Sequence, residues 1–202
     1  SITLDAEEIE RFAPLAGRDL GGAAELVIIS EVRPLDRAFE VLVTGTTQDL
    51  AIGIDQVDPL LDGEGQITIQ AARDADGTRL PQLDVSTPAL AVTGSADITS
   101  GVSSAEFDIR VAETGLVVPS LSGEGTLTGE ASRDEAGRIV ADVALRLPGT
   151  TADVDVEVAP EEEGGGISGA VSAMVADLSD FAEIAGRPLA GTVEIDADDP
   201  RA

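Results

Sequence analysis

Strict alternation of apolar and polar residues is the feature that most constrains the fold of this chain. In residues 152–158 every even position is Ala or Val and every odd position is Asp or Glu. Residues 107–111 and 139–147 alternate in the same way, with their apolar side chains at the odd positions. Successive side chains of a β-strand point to opposite faces, so this pattern predicts strands with one apolar face and one wet, acidic face. About a dozen such segments follow one another at the spacing typical of an all-β chain.

Short connectors between these segments predict antiparallel pairing. Residues 74–77 and 134–137 each join two alternating segments and end in Gly. We expect that Gly to supply the positive φ of a hairpin turn. Parallel strands would need a dozen or more linking residues. The sequence therefore predicts an all-β antiparallel meander.

Two short amphipathic helices are expected beside the strands. The first is expected to be capped by Asp5 and to end at Gly17, with Ile9, Phe12 and Leu15 on one side. In the second, Leu178, Phe181 and Ile184 share one side before Gly186. Helices of this kind more often close the end of a sheet than contact a ligand.

Two internal repeats indicate a modular array. Residues 59–77 match residues 119–137 at an offset of 60, with 10 of 19 positions identical. Residues 12–22 match residues 181–191 at an offset of 169, with 7 of 11 positions identical. Self-similarity of this kind is typical of arrays that propagate in one direction. We therefore expect one unit over residues 1–176 and the start of the next unit over residues 177–202.

The charge balance excludes several classes of partner and chemistry. The chain of 202 residues has 12 basic and 39 acidic residues, a formal charge of −27, and every basic residue is Arg. Such a chain should repel nucleic acid and anionic membrane surfaces. It has no His and no Cys, which removes the commonest general base, the thiolate nucleophile and the usual zinc ligands. An apolar content of 43% argues against a disordered acidic tail. No cofactor, metal or enzymatic activity is predicted.

Motifs that could carry chemistry have simpler structural interpretations. Residues 123–129 have dinucleotide-like glycines, but a strand pattern follows them instead of the helix that such a site needs. Residues 74–78 resemble the start of a calcium loop, but the matching repeat does not keep the pattern, which favours a hairpin turn. Asp153, Asp155 and Glu157 alternate into water, so no acid–base role is assigned to them.

The predicted sheet has more apolar surface than its own helices can cover. A dozen strands at about 4.8 Å spacing give a width on the order of 55 Å. Two helices of about ten residues cannot hide one face of such a sheet, so the sheet must stack, close into a barrel, or curl into an elongated groove that meets an apolar ligand. We expect the aliphatic lining of the groove to comprise Ile67, Ile69, Val85, Phe107, Ile109, Val111, Leu127, Val143, Leu145, Leu147, Val154, Val156 and Val158.

Several of these segments resemble the TamB family, the AsmA-like inner-membrane components of the translocation and assembly module. The resemblance is carried by the Phe-Ala-x-(Leu/Ile)-Ala-Gly-Arg-x-Leu-x-Gly segments that begin at Phe12 and Phe181. The Gly-Glu-Gly-x-(Ile/Leu)-Thr segments that begin at Gly63 and Gly123 and the Asp-Pro-Leu-Leu segment at residues 58–61 add to it. The resemblance covers nearly the whole chain, and its motifs mark structure, not chemistry.

The resemblance implies a fold, a location and partners. It implies a curled antiparallel sheet, the β-taco, with an apolar inside, in an internal periplasmic segment of a protein anchored in the inner membrane. The implied role is outer-membrane biogenesis, with phospholipid or outer-membrane protein strands as cargo. A BamA-like barrel protein is an implied partner through regions that this chain does not contain.

Two alternatives to the groove remain open from the sequence. One is a secreted adhesin or surface-layer β-repeat with a closed core, in which calcium binding at the turn of Asp74 and Asp76 would stabilise the fold. The other is an enzyme on an all-β scaffold, which the absence of His and Cys disfavours. The sequence leaves the choice between lipid and polypeptide cargo, the direction of transport and the oligomeric state undecided.

Overall fold

The computed structural model describes residues 2–6, 8–160 and 165–199. The chain forms two compact units, Ser1–Thr99 and Ser100–Ala202. The strands of the first unit are β1 (Ile2–Ala6), β2 (Gly21–Arg33), β3 (Ala38–Ala51), β4 (Glu64–Arg73), β5 (Gly77–Ser86) and β6 (Leu90–Thr99). Those of the second unit are β7 (Ser103–Val111), β8 (Gly125–Arg133), β9 (Ile139–Leu147), β10 (Thr150–Ala159), β11 (Gly166–Val175) and β12 (Val193–Asp199).

Each strand pairs antiparallel with the next strand of its unit. β1 to β6 follow one another in sheet order, and so do β7 to β12. Among the described residues the first and last strands of a unit do not pair with each other, so each sheet is open. The predicted all-β antiparallel meander is confirmed.

The repeat boundary predicted at residues 176 and 177 concerns where a module begins, and it stays a prediction. β12 pairs with β11 from Val175 opposite Val193 to Gly169 opposite Asp199. β12, which belongs to the predicted next module, therefore continues the sheet of the second unit.

The two predicted amphipathic helices are present only as single turns. A 3₁₀ turn at Ile9–Phe12 leads into α1 (Ala13–Ala16), and a 3₁₀ turn at Leu178–Phe181 leads into α2 (Ala182–Ala185). Segments this short cannot form the repeated hydrogen bonds that offset helix nucleation, so they depend on the sheet beside them.

The predicted end of each helix is right, and the predicted cap of the first helix is wrong. Gly17 and Gly186 follow α1 and α2 with φ values of 67° and 64°. Asp5, however, belongs to β1, and the first 3₁₀ turn begins after Glu8 without a side-chain cap. Alternation continues through Asp5 into a strand, which removes it from the capping position. The predicted contacts of Phe12, Leu15 and Ile184 concern side chains outside the described part of the structure.

One end of each unit contains most of its buried side chains; we call it the plug end. Irregular connections with 3₁₀ turns cross this end between β3 and β4 and between β7 and β8. The buried side chains there are Ala6, Thr47, Leu60 and Leu61 in the first unit and Thr114, Val118, Leu121 and Thr150 in the second unit.

Equivalent hydrogen bonds hold the two plug connections. Asp49 Oδ1 accepts from the Gly63 N–H at 2.9 Å, and Glu113 Oε1 accepts from the Gly123 N–H at 2.9 Å. Gly63 and Gly123 have φ values of 85° and 111°, which favour glycine. The repeat with an offset of 60 residues is therefore a repeated connection that leads into β4 and β8, and the Gly-rich motif at residues 123–129 is a turn followed by a strand.

The opposite end of each unit, the hairpin end, carries short turns. Asp74 Oδ1 accepts from the N–H groups of Asp76 at 2.9 Å and Gly77 at 3.2 Å, while Arg79 donates to Asp74 Oδ2 at 2.8 Å. These hydrogen bonds hold the pKa of Asp74 below its usual range. The carboxylate that resembled a calcium ligand thus closes a hairpin turn.

The predicted role of glycine is right at one of these turns and wrong at the other. Gly137 has a φ of 87°. Gly77 is instead the first residue of β5, where a Cβ would lie 2.1 Å from the Ile98 carbonyl oxygen. Close approach of two backbones, not a positive φ, therefore requires glycine at residue 77.

Two remaining features are the absence of a membrane-spanning helix from the described ranges and the predicted acidic loop. Within the described ranges, no helix is long and apolar enough to cross a membrane. The sequence predicts a flexible, solvated loop at residues 161–166, of which residues 161–164, including the acidic run at residues 161–163, lie outside the described residues.

Candidate binding face

All ten lining residues predicted for the second unit lie on one face of its sheet. Residues directly opposite each other in an antiparallel pair share a face. Ile109 lies opposite Leu127, and Leu127 lies opposite Leu145. Val143 lies opposite Val154 on the same face. The face, which we call the second apolar face, includes Phe107, Ile109, Val111, Leu127, Val143, Leu145, Leu147, Val154, Val156 and Val158.

The three lining residues predicted for the first unit also share a face. Ile67 lies opposite Val85, and Ile69 lies opposite Val43 and Leu83. Further aliphatic members of this first apolar face include Leu26, Ile28, Val32, Val41, Leu80, Val92 and Ile98. The register thus gathers each unit's predicted residues on one surface.

Neither apolar face is sealed. Among the described residues, no large side chain is less than 2% exposed to solvent. Most lining residues are half-buried, and Phe107 is 36% exposed. The Phe107 ring covers Gly129, where an added Cβ would lie 2.6 Å from Cζ. The aliphatic side chains therefore cover the backbone of their own sheet and leave their outer surfaces available.

The most exposed aliphatic side chain of each apolar face lies in the cross-strand row nearest the hairpin end. Val32 and Ile98 in the first unit are 62% and 58% exposed. Ile139 and Ile167 in the second unit are 40% and 72% exposed. Leu121, at the plug end, is only 5% exposed. Each apolar face is thus most open at the hairpin end and most closely covered at the plug end.

Sequence reasoning missed several members of the second apolar face. Ile139, Ile167, Val171, Val193 and Ile195 share it through the registers of β9 to β12. Ile139 is the first apolar residue of the alternating segment at residues 139–147, so that pattern could have identified it as a member of the face. The β11 sequence mixes Gly, Ser and Ala with its larger residues, which hides the alternation.

The opposite face of the second unit carries a ladder of carboxylates. Glu106 lies opposite Glu130, Glu130 opposite Asp142, and Asp142 opposite Asp155. A shallow depression of about 590 Å³ lies among these four residues, Asp108 and Asp153. The sequence predicted an acidic face here, but not this depression between its carboxylates.

The carboxylate ladder affects the protonation of its members. A hydrogen bond with Asp142, followed by partial desolvation and repulsion from Asp142 and Asp153, raises the pKa of Asp155. In the described part of the chain, no group of three or more acidic residues has the arrangement of a metal site. The ladder is an accumulation of like charge on a solvated face.

Two arginines on the apolar faces were not predicted as functional. Arg73 lies opposite Phe39, and Arg133 lies opposite Ile139. Both are exposed, and they occupy equivalent positions of the repeat. The internal repeat was the sequence signal that could have singled out both arginines. The face of the sheet on which they lie follows only from the strand register.

Comparison of the chain with protein-family models, with curated proteins and with solved structures finds no match.

Proposed function

We propose that this chain is a periplasmic segment of a TamB-like outer-membrane biogenesis protein. In this proposal each apolar face lines a groove that shields phospholipid acyl chains or the apolar side of nascent outer-membrane β-strands. The observation that carries the proposal is the continuous aliphatic face of each unit, which remains half-exposed.

The size of the apolar face supports a binding role. Six strands at about 4.8 Å spacing and eight residues of about 3.4 Å each give a face on the order of 700 Å² per unit. The largest apolar patch on a typical soluble monomer covers about 300–600 Å². A larger patch usually marks a surface that binds an apolar partner.

The chemistry available on this face fits passive binding. Branched aliphatic side chains exclude water without selecting a particular partner by hydrogen bonding. The acidic face of the same sheet keeps the unit hydrated. The half-exposed lining favours this proposal over the closed core of an adhesin or surface-layer repeat.

The test is native mass spectrometry of the purified chain after exposure to phospholipid. Wild-type protein is expected to carry phospholipid. A variant with Ile109→Glu and Val156→Glu should fold but lose it, because two charges then stand on the apolar face. The matched control is Thr126→Glu with Thr151→Glu, which adds two charges to the acidic face near Arg146.

The control variant should retain bound phospholipid. Circular dichroism spectra should show that both variants are folded. If the Ile109 and Val156 variant folds and carries as much lipid as the wild type, the proposed binding face is wrong. Binding of apolar peptide strands in place of lipid would assign the groove to polypeptide cargo.

A further inference from the structure

Arg73 and Arg133 are placed unusually for charged residues. Arg73 shares the first apolar face with Val41, Ile69 and Phe39, and Arg133 shares the second apolar face with Ile139. Each is the last residue of its strand at the hairpin end. Arg73 shares its cross-strand row with Val32, and Arg133 shares its row with Ile167, and these two are the most exposed aliphatic side chains of their faces.

Neither arginine has an acidic partner in the part of the chain that the structure describes, although acidic residues are abundant in the sequence. Within the described residues, Arg73 and Arg133 form no ion pair, whereas Arg79, Arg110 and Arg146 each pair with an Asp. An unpaired guanidinium is available to bind an external anion.

The nearest carboxylates in sequence are already engaged. Asp74, which follows Arg73, binds the N–H groups of its turn and the Arg79 side chain. Asp134, which follows Arg133, accepts from the Arg138 N–H at 2.9 Å and lies 3.9 Å from its guanidinium. Arg79 and Arg138 therefore occupy the acids that could otherwise neutralise the two arginines on the apolar faces.

The Arg133 side chain reaches the hairpin end of its sheet. Its Nη2 lies 3.7 Å from the position that a Cβ on Gly137 would occupy in the hairpin turn. The guanidinium is therefore at the boundary between the aliphatic surface and water, where the headgroup of an amphiphile would lie.

The length of the apolar face matches an acyl chain. Six residues separate Arg133 from Leu127, which corresponds to roughly 20 Å along an extended strand. Half of a bilayer's hydrocarbon core is about 15 Å thick. An acyl chain that begins at the arginine would thus extend along the apolar face, past the Phe107 ring to Leu127, toward the plug end.

We propose that Arg73 and Arg133 each bind the phosphate of one phospholipid, whose acyl chains lie along the apolar face toward the plug end. This inference rests on the proposed function and adds the headgroup chemistry, the orientation and the sites of binding. Guanidinium groups form paired, charge-assisted hydrogen bonds with phosphate, which gives specificity as well as affinity. Screening over about 8 Å at physiological salt limits repulsion between the phosphate and the carboxylates of the opposite face.

The experiment compares two lipids that differ in the phosphate headgroup. Purified protein is incubated with mixed micelles that contain equal amounts of dioleoylphosphatidylglycerol and dioleoylglycerol, and the bound lipid is measured by native mass spectrometry. The variants are Arg73→Gln with Arg133→Gln, and Arg73→Lys with Arg133→Lys. The control is Arg18→Gln with Arg187→Gln, which removes the same charge from exposed positions outside the strands.

Wild-type protein should prefer the phospholipid by on the order of tenfold, the factor that one strong charge-assisted contact provides. The glutamine variant should lose this preference and still bind dioleoylglycerol. The lysine variant should keep part of the preference, and the control should keep all of it. Unchanged melting temperatures would show that the variants remain folded.

Two outcomes would overturn the proposal in distinguishable ways. If wild-type protein binds both lipids equally, or if the glutamine variant keeps the preference, the arginines do not bind phosphate, but the apolar binding face stands. If neither lipid binds, lipid is not the cargo of the apolar faces, and this inference fails with that part of the proposed function.

Discussion

Replacing Val143 with Asp distinguishes an open apolar face from a sealed core. Val143 lies near the middle of the second apolar face, opposite Gly129 and Val154. Its side chain is half-buried, so water already reaches part of it. A carboxylate at this position would stay hydrated on an open face, whereas a closed core would enclose it.

The two arrangements predict different losses of stability. Full burial of a Val side chain contributes about 1.5–3 kcal/mol, so losing a half-buried one costs about 1 kcal/mol. The lower β-propensity of Asp adds up to about 1 kcal/mol. We therefore expect Val143→Asp to lower the free energy of unfolding by about 1–2 kcal/mol. In a sealed core, enclosing an unpaired carboxylate would cost several kcal/mol more.

Urea unfolding, followed by circular dichroism, measures this difference. With a slope of about 2 kcal/mol per M, the expected loss lowers the midpoint by roughly 0.5–1 M. The matched control is Thr126→Asp on the acidic face, opposite Arg110 and Arg146, where the new charge is compensated and the loss should be smaller. A variant that is unfolded at pH 7 and refolds near pH 4, where the new carboxyl group is protonated, would refute the open face.

Two further predictions concern the plug end and the carboxylate ladder. Leu121→Ala should destabilise the second unit by about 2–4 kcal/mol because Leu121 is only 5% exposed. Leu116→Ala should cost about 1 kcal/mol or less because Leu116 is 40% exposed. Equal urea midpoints for the two variants would contradict the burial of Leu121 at the plug end. The raised pKa of Asp155 means that the folded state binds the proton of this carboxyl group more tightly than the unfolded state does. The free energy of unfolding should therefore rise as the pH falls through the raised pKa toward the ordinary value of 3.8. Asp142→Asn should therefore raise the melting temperature at pH 7, and this gain should shrink on acidification; a constant gain between pH 7 and pH 4 would contradict the repulsion.

The strands and their faces could be predicted from the sequence because one physical rule determines both. A period of two specifies a strand and assigns its apolar residues to one face. In β10 this rule identified residues 152–158 and placed Val154, Val156 and Val158 together. Short turns then required neighbouring strands to pair, which gave the sheet order.

The ends of the strands could not be predicted in the same way. The segment around Asp5 has both a capping residue and an alternating pattern, and pairing of β1 with β2 decides for the strand. Burial of Leu61 and Leu121 depends on irregular connections whose path periodicity does not specify. The repeat identified these connections as structural, but their position at the plug end depends on tertiary contacts.

The placement of the arginines required the register as well. Arg73 and Arg79 are six residues apart, and the sequence treats them alike. Pairing places Arg73 on the apolar face and leaves Arg79 next to Asp74 and Asp97 on the other face. A bulge in β5 between Leu80 and Leu83 shifts the pairing, so counting residues from one alternating segment to the next does not assign these positions.

The carboxylate ladder restricts apolar partners of the second unit to one face of its sheet. Like charges opposite each other on neighbouring strands destabilise a sheet, and alternating Arg and Asp would stabilise it. The ladder of Glu106, Glu130, Asp142 and Asp155 therefore lowers the stability of the second unit, while it repels any second sheet that approaches the acidic face. Apolar partners are then confined to the other face, where the only charge on β8 is Arg133 at its end. The opposite chemistry of the two faces thus directs an amphiphile to one surface and places its anionic group at one end of that surface.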